Sequence, residues 1–195
     1  MINLNLGDCV EAMSKMPDNA YDLAIVDPPY GIGISSNSFR QKHKKCGWDS
    51  EIPTDQYFKQ IQRVSKNQII WGGNYFDLPP TRCFIVWDKK ISENFSLAMA
   101  ELAWTSFDRL AKIFRLSMSE IKRHPTQKPI KLYNWLLHNY AKPGDRILDT
   151  HLGSMSIAIA CHYKGFHLTG TELDKDYFTA GVERVKKETA QMELL

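Results

Sequence analysis

The chain has 195 residues, 43% hydrophobic and 24% charged, with a formal net charge of +3. A chain of that length buries roughly 70% of its unfolded surface, and its five Trp, eight Tyr and nine Phe need a core, which excludes disorder as the main state. No apolar run approaches the ~18 residues of a membrane span. Residues 1–7 alternate apolar side chains with Asn, unlike a leader. The cysteines at 9, 46, 83 and 161 show neither a CxxC pair nor zinc spacing. A single cytoplasmic domain over residues 1–195 is expected, with reduced thiols, no metal and no membrane association.

In chain order, short apolar runs bounded by turn residues predict strands at 2–6, 22–26, 68–71, 83–87, 101–105, 111–116, 146–148 and 167–170. Helical periodicity predicts helices at 55–64, 127–140, 154–162 and 175–191, with Thr126 capping the second and Pro129 in its first turn. The alternation predicts an α/β fold, a mostly parallel sheet with helices on both faces. The stretch 31–50 has no periodicity and carries Arg40, Lys42, Lys44 and Lys45. It is read as a functional loop that holds the phosphates of a polyanion, the plainer alternative being a solvated loop. Residues 109–123 form a second basic segment, with five cations against Glu120 alone.

Asp27-Pro28-Pro29-Tyr30 follows a predicted strand directly, where ligands of open α/β sheets bind. Two prolines stiffen the loop and leave it presenting carbonyls. A carboxylate, fixed carbonyls and an aromatic face suit a planar amine; a Pro-rich turn with a core Tyr is the plainer alternative. Asp149 to Ser156 couples a strand-end acid to a turn with one glycine, Gly153, and a small-residue helix, as nucleotide-binding turns do. About 20 residues on, Glu172 ends the next strand, where an acid holds ribose hydroxyls. Gln127 and Lys128, before a helix, suit a carboxylate. Gly7-Asp8-Cys9 reads as a turn.

Together these motifs resemble the S-adenosylmethionine-dependent DNA amino-methyltransferases of the beta class, the N-4/N-6 DNA methylase family, over nearly the whole chain and in that family's permuted order. The resemblance implies a permuted Rossmann-like methyltransferase fold, S-adenosylmethionine as cofactor and DNA as partner, with homodimers common. It implies an adenine-N6 enzyme of the restriction-modification kind, acting on a flipped-out base. Asp27, Pro28, Pro29 and Tyr30 would be catalytic, with Tyr30 stacking on the base. Asp8, Cys9, Asp27, Gln127, Lys128, Asp149, His151, Gly153, Ser154, Glu172 and Leu173 would bind cofactor. Arg40, Lys42, Lys44 and Lys45 would hold DNA, and 89–123 would be a reduced target-recognition region. The other readings are a cytosine-N4 or RNA adenine methyltransferase, and a DNA-binding subunit without turnover. Two positions depart from the family: His151 replaces a Phe and Met155 a second Gly. The Met155 side chain is expected along the helix or in the methionine end of the pocket, weakening cofactor binding. The permuted order also predicts that the two chain ends meet at the amino end of the sheet.

Overall fold

The computed structural model describes residues 1–32, 52–94, 98–117 and 127–190. The strands are β1 (Ile2–Leu6), β2 (Tyr21–Val26), β3 (Ser65–Trp71), β4 (Ile85–Asp88), β5 (Ala100–Thr105), β6 (Lys112–Arg115), β7 (Arg146–Asp149) and β8 (His167–Glu172). The helices are α1 (Cys9–Ser14), α2 (Asp55–Val64), α3 (Ile130–Tyr140), α4 (Ser156–Lys164) and α5 (Lys175–Ala190). All eight strands form one sheet in the order β1-β8-β7-β2-β3-β5-β4-β6. β5 pairs antiparallel with β3 and β4, and the other pairings are parallel. The strand order places the switch point between β7 and β2, since the chain leaves these neighbours in opposite directions.

Period-two alternation decides the two faces. Leu23, Ile25, Ile69, Trp71 and Ile147 point into a core with Leu132 and Leu136 of α3 and Ile157 of α4. Their neighbours Ala24, Val26, Ile70 and Leu148 point the other way, onto Met13 of α1 and Tyr57, Ile61 and Val64 of α2. Every residue from Ser156 to Cys161 of α4 is buried, because α3 and α5 flank it on the sheet.

Several boundaries correct the sequence reading. The expected helix 127–140 begins at Ile130, because Pro129 is extended (φ −73°, ψ 147°) and caps it, and residues before proline disfavour the helical region. Thr126 lies outside the described residues. The helix expected at 154–162 begins at Ser156, after Met155 in a left-handed conformation. The short α1 was missed, because its six residues are too few to show a period. The amino end and the last described helix lie close together, α5 packing against β1 and β8, while residues 191–195 lie outside the described residues. The Met1 amine meets His167 Nδ1 at 3.0 Å where β8 begins, and Tyr163 near the end of α4 donates to the Glu188 carbonyl of α5.

Candidate active site

Four carboxylates gather beyond the carboxyl ends of the parallel strands: Asp8 after β1, Asp27 after β2, Asp149 ending β7 and Glu172 ending β8. Asp27 is held by side chains. Its Oδ1 accepts from the Tyr30 hydroxyl at 2.5 Å, and its Oδ2 pairs with the Lys128 ammonium. Lys128 is buried and also pairs with Glu101 Oε2 at 3.2 Å. Glu101 in turn pairs with Lys89 through Oε1 at 2.5 Å. Burial alone would lower the Lys128 pKa, yet Asp27 and Glu101 outweigh it and hold the ammonium above its ordinary value. Burial likewise disfavours the Glu101 carboxylate, but Lys128 and Lys89 keep its pKa below the usual range.

These contacts change two expected roles. Lys128, expected at a cofactor carboxylate, has its ammonium committed to Asp27 and Glu101. Tyr30, expected to stack on a base, has its ring stacked on Tyr75 at 5.1 Å and 14°. The Tyr30 ring also fills the space above Gly72, where a Cβ would come within 2.2 Å of it. The more exposed ring at this end is Tyr75, 44% accessible. Pro28 is buried and Pro29 half-buried beside them.

Glu172 is held by main chain. Its Oε2 accepts from the Gly153 N–H at 2.7 Å and its Oε1 from the Asp174 N–H at 3.0 Å. The Gly7 N–H donates to the Glu172 carbonyl at 2.9 Å, which ties the turn after β1 to the same point. A Cβ on Gly7 would meet nothing within 4 Å, and one on Gly153 only the His151 carbonyl at 4.0 Å, so both turns border open space. Leu173 stands beside them, 69% exposed.

Asp149 is buried, and burial pushes its pKa up to about 7, with Asp27 and Glu172 adding to the shift and the His151 N–H opposing it. His151 stays neutral because burial pushes its pKa down to about 4. Its Nδ1 lies 2.9 Å from Thr150 Oγ1, which lies 2.7 Å from the Tyr57 hydroxyl. Where a phenyl ring would only pack, this imidazole joins a hydrogen-bonded chain and meets the Tyr57 ring edge-on at 5.5 Å. Asp8 caps α1, its Oδ1 accepting from the Glu11 N–H at 2.8 Å. Burial and Asp8 push the Cys9 thiol up to about 12, which rules it out as a nucleophile near neutral pH.

Gln127 and Ser154 pack at the start of α4. With its amide oxygen turned to Arg184, Gln127 accepts from that guanidinium at 2.7 Å and from Ser156 Oγ at 2.9 Å. The Ser154 carbonyl also accepts from Arg184. Met155 corrects an expectation. It is fully buried and left-handed (φ 57°), and its side chain lies against Gly181 of α5, whose Cβ, if present, would be 2.7 Å from Met155 Cγ. The side chain therefore points to α5, neither along the helix nor into the pocket.

The sequence reading missed Lys89, Glu101, Tyr75 and Arg184. Sequence alone groups Lys89 and Glu101 with the 89–123 target-recognition region, because the antiparallel pairing of β4 with β5 leaves no local signal. Arg40, Lys42, Lys44 and Lys45, and most of the segment opening the Gln127 motif, lie outside the described residues. No group of three or more metal-ligating side chains occurs among the described residues, and no described helix is long and apolar enough to cross a membrane.

The DNA methylase family model (N6/N4 Mtase) matches residues 70–183, more than half of the chain. The DNA adenine methyltransferase YhdJ of Escherichia coli (strain K12) is 23% identical, over 92% of this chain and 81% of its own length. The solved M1.HpyAVI-SAM complex shares the fold with a TM-score of 0.67 and 20% identity, covering 94% of this chain and 100% of that one. The cytosine-N4-specific PvuII DNA methyltransferase shares it with a TM-score of 0.63 and 13% identity, covering 97% and 90%.

Proposed function

As the chain belongs to the DNA methylase family, we propose that it transfers a methyl group from S-adenosylmethionine to the N6 amine of adenine in DNA. The adenine part of the reading rests on Asp27-Pro28-Pro29-Tyr30, the form that resembles the adenine-N6 enzymes; the cofactor part rests on an acid-rich rim of Asp8, Asp27, Asp149 and Glu172 at the carboxyl ends of the switch-point strands and their neighbours. That charge suits a cofactor bearing a sulfonium and an ammonium. It does not suit a dinucleotide, whose phosphates such a rim would repel.

Glu172 would hold the ribose hydroxyls with the lone pairs that Gly153 and Asp174 leave free. Asp8, Cys9 and Leu173 would border the adenine, with Gly153, Ser154 and His151 lining the methionine side and Gln127 supporting that turn through Arg184. When bound, S-adenosylmethionine supplies a methyl group on a positively charged sulfur. Asp27 would accept one hydrogen of the target amine and the Pro28 carbonyl the other. This frees the nitrogen lone pair from the ring and stabilises the positive charge that develops on nitrogen. Fixed acceptors also hold the nitrogen in line with the methyl group. Inside a duplex the amine is out of reach, so the base must leave the stack. Tyr75, backed by Tyr30, would meet it with an exposed ring, worth ~1–3 kcal/mol.

The whole chain would act as one domain, with 31–50 as the DNA-holding loop. Replacing Lys42, Lys44 and Lys45 with Ala should flatten the salt dependence of DNA binding by up to about three units. The deciding experiment is incubation with labelled S-adenosylmethionine and DNA, then digestion to nucleosides. Label in N6-methyladenine is expected. Label in N4-methylcytosine would replace the adenine assignment, and label in neither would end the enzyme reading.

A further inference from the structure

The charged chain that begins at Asp27 does not stop at Lys128. It continues through Glu101 at the amino end of β5 to Lys89 just after β4. β5 runs against its neighbours, so its first residues lie at the same end of the sheet as the last residues of β2 and β3. The antiparallel strand thus delivers a carboxylate to the catalytic end from the far half of the sheet.

We propose that Glu101 is a positioning residue for methyl transfer, acting through the Lys128 ammonium to set how Asp27 is held and to cancel positive charge beside the accepting amine. The inference rests on the methyl-transfer reading above. Lys128 is 6% exposed, so water does little to screen its charge. Its ammonium reaches Asp27 Oδ2, Glu101 Oε2 at 3.2 Å and the Tyr30 hydroxyl oxygen at 3.3 Å, and lies 5.0 Å from the Trp71 ring centre. Ion pairs with Asp27 and Glu101 and a hydrogen bond to the Tyr30 hydroxyl hold the ammonium in place.

The charges alternate along the chain: Asp27 negative, Lys128 positive, Glu101 negative, Lys89 positive. With Glu101 present, the Lys128 charge is shared between two carboxylates, and Asp27 keeps negative character for the target amine. Without Glu101, the ammonium has Asp27 alone as its anionic partner. The ammonium would then draw on Asp27 alone, weakening that carboxylate as an acceptor beside a nitrogen that itself becomes positive as the methyl group arrives. Preorganised electrostatics of this kind acts on the transition state more than on binding.

The test is Glu101→Gln, which keeps shape and removes charge. Three quantities are measured on the full chain: the single-turnover rate of methyl transfer to a DNA duplex, the calorimetric Kd for S-adenosylmethionine, and the Kd for the same duplex. The rate should fall about 10- to 100-fold while both Kd values stay within about threefold. In a Lys128→Met background, where the intermediary is gone, adding Glu101→Gln should cost no further rate. Glu101→Asp, which keeps the charge with a shorter reach, should lose about three- to tenfold and serves if the Gln variant does not fold. Parental rates in the Gln variant, or in the Asp variant where that one serves, would overturn the proposal. So would equal losses of rate and binding, or a full additional loss in the Lys128→Met background. Parent protein that binds cofactor and DNA but transfers no methyl group would overturn the methyl-transfer reading itself; an active parent with an equally active Glu101→Gln overturns only the role of Glu101.

Discussion

Asp27 and Glu172 are carboxylates at the ends of two parallel strands of one sheet, and the structure grips them in different ways. Glu172 receives two main-chain N–H groups, from Gly153 and Asp174. Asp27 receives two side-chain groups, from Tyr30 and Lys128, the latter about a hundred residues away in sequence. A main-chain grip depends on the shape of a turn and tolerates many side-chain changes. A side-chain grip depends on a few identities, each resting on further partners such as Glu101. The first is suited to holding a cofactor that every turnover needs. The second is suited to tuning the strength of a hydrogen-bond acceptor.

The largest effects should come from removing each carboxylate. Asp27→Ala should lower methyl transfer by about a thousandfold or more and leave cofactor Kd within about threefold, because the lost acceptor acts on the developing charge. Lys128 retains Glu101, so the fold should persist. Glu172→Ala should do the reverse, raising cofactor Kd about 10- to 100-fold, since the proposed ribose contacts would be lost and two N–H donors left without their acceptor. Rate and Kd measured on both variants test the division. Loss of cofactor binding by Asp27→Ala as severe as that by Glu172→Ala would erase it.

The two grips also differ in how far the sequence reveals them. Glu172 follows the Gly153 turn by the spacing of a nucleotide-binding unit, so both the residue and its place were legible. Asp27 was legible as a strand-end carboxylate held by prolines. Its partners were not, because Lys128 sits in a motif whose chemistry fits an anionic ligand equally well. Whether an ammonium turns to a cofactor or to a protein carboxylate depends on tertiary packing, here on an antiparallel strand whose direction no local pattern encodes. The eight strands were legible from apolar runs. Helix starts at Ile130 and Ser156 were not, because an extended Pro129 and a left-handed Met155 set them.

Asp149, on β7 beside the switch point, sharpens the comparison through pH. Its carboxyl is buried near Asp27, Glu172 and Lys128, with the His151 N–H on it, and its pKa is pushed up to about 7. Between the unfolded value of about 4 and this one, the folded chain keeps a proton that the unfolded chain has released. Its contribution to stability therefore falls as pH rises through that window and is level above about 7. A cationic ligand favours the ionised form. Affinity for S-adenosylmethionine should thus climb as pH rises toward about 7, by up to about tenfold per unit, and then flatten. The neutral thioether product, which lacks the sulfonium charge, should show a shallower slope. Asp149→Asn should remove the slope for both, and calorimetric titration across about pH 5.5 to 8.5 reads it. A slope that survives in Asp149→Asn would move the titrating group elsewhere.

The smallest functional effect is expected at Met155, although the turn that contains it carries the main-chain grip on Glu172. A left-handed residue other than glycine costs about 1 kcal/mol, so Met155→Gly should relieve that strain. Against this, the Met155 side chain is fully buried against Gly181, and emptying such a site costs about 2–5 kcal/mol. The cavity term wins, leaving a net loss of about 2 kcal/mol and a fall in Tm of about 4–8 °C for a domain of this size. Cofactor Kd should not change, because the side chain faces α5 and the Gly153 N–H that holds Glu172 belongs to the preceding part of the turn. Thermal unfolding and cofactor titration of the same variant separate the two effects. Tighter cofactor binding by Met155→Gly would mean that the methionine intrudes on the pocket after all, and that the main-chain grip on Glu172 depends on a side chain as the grip on Asp27 does.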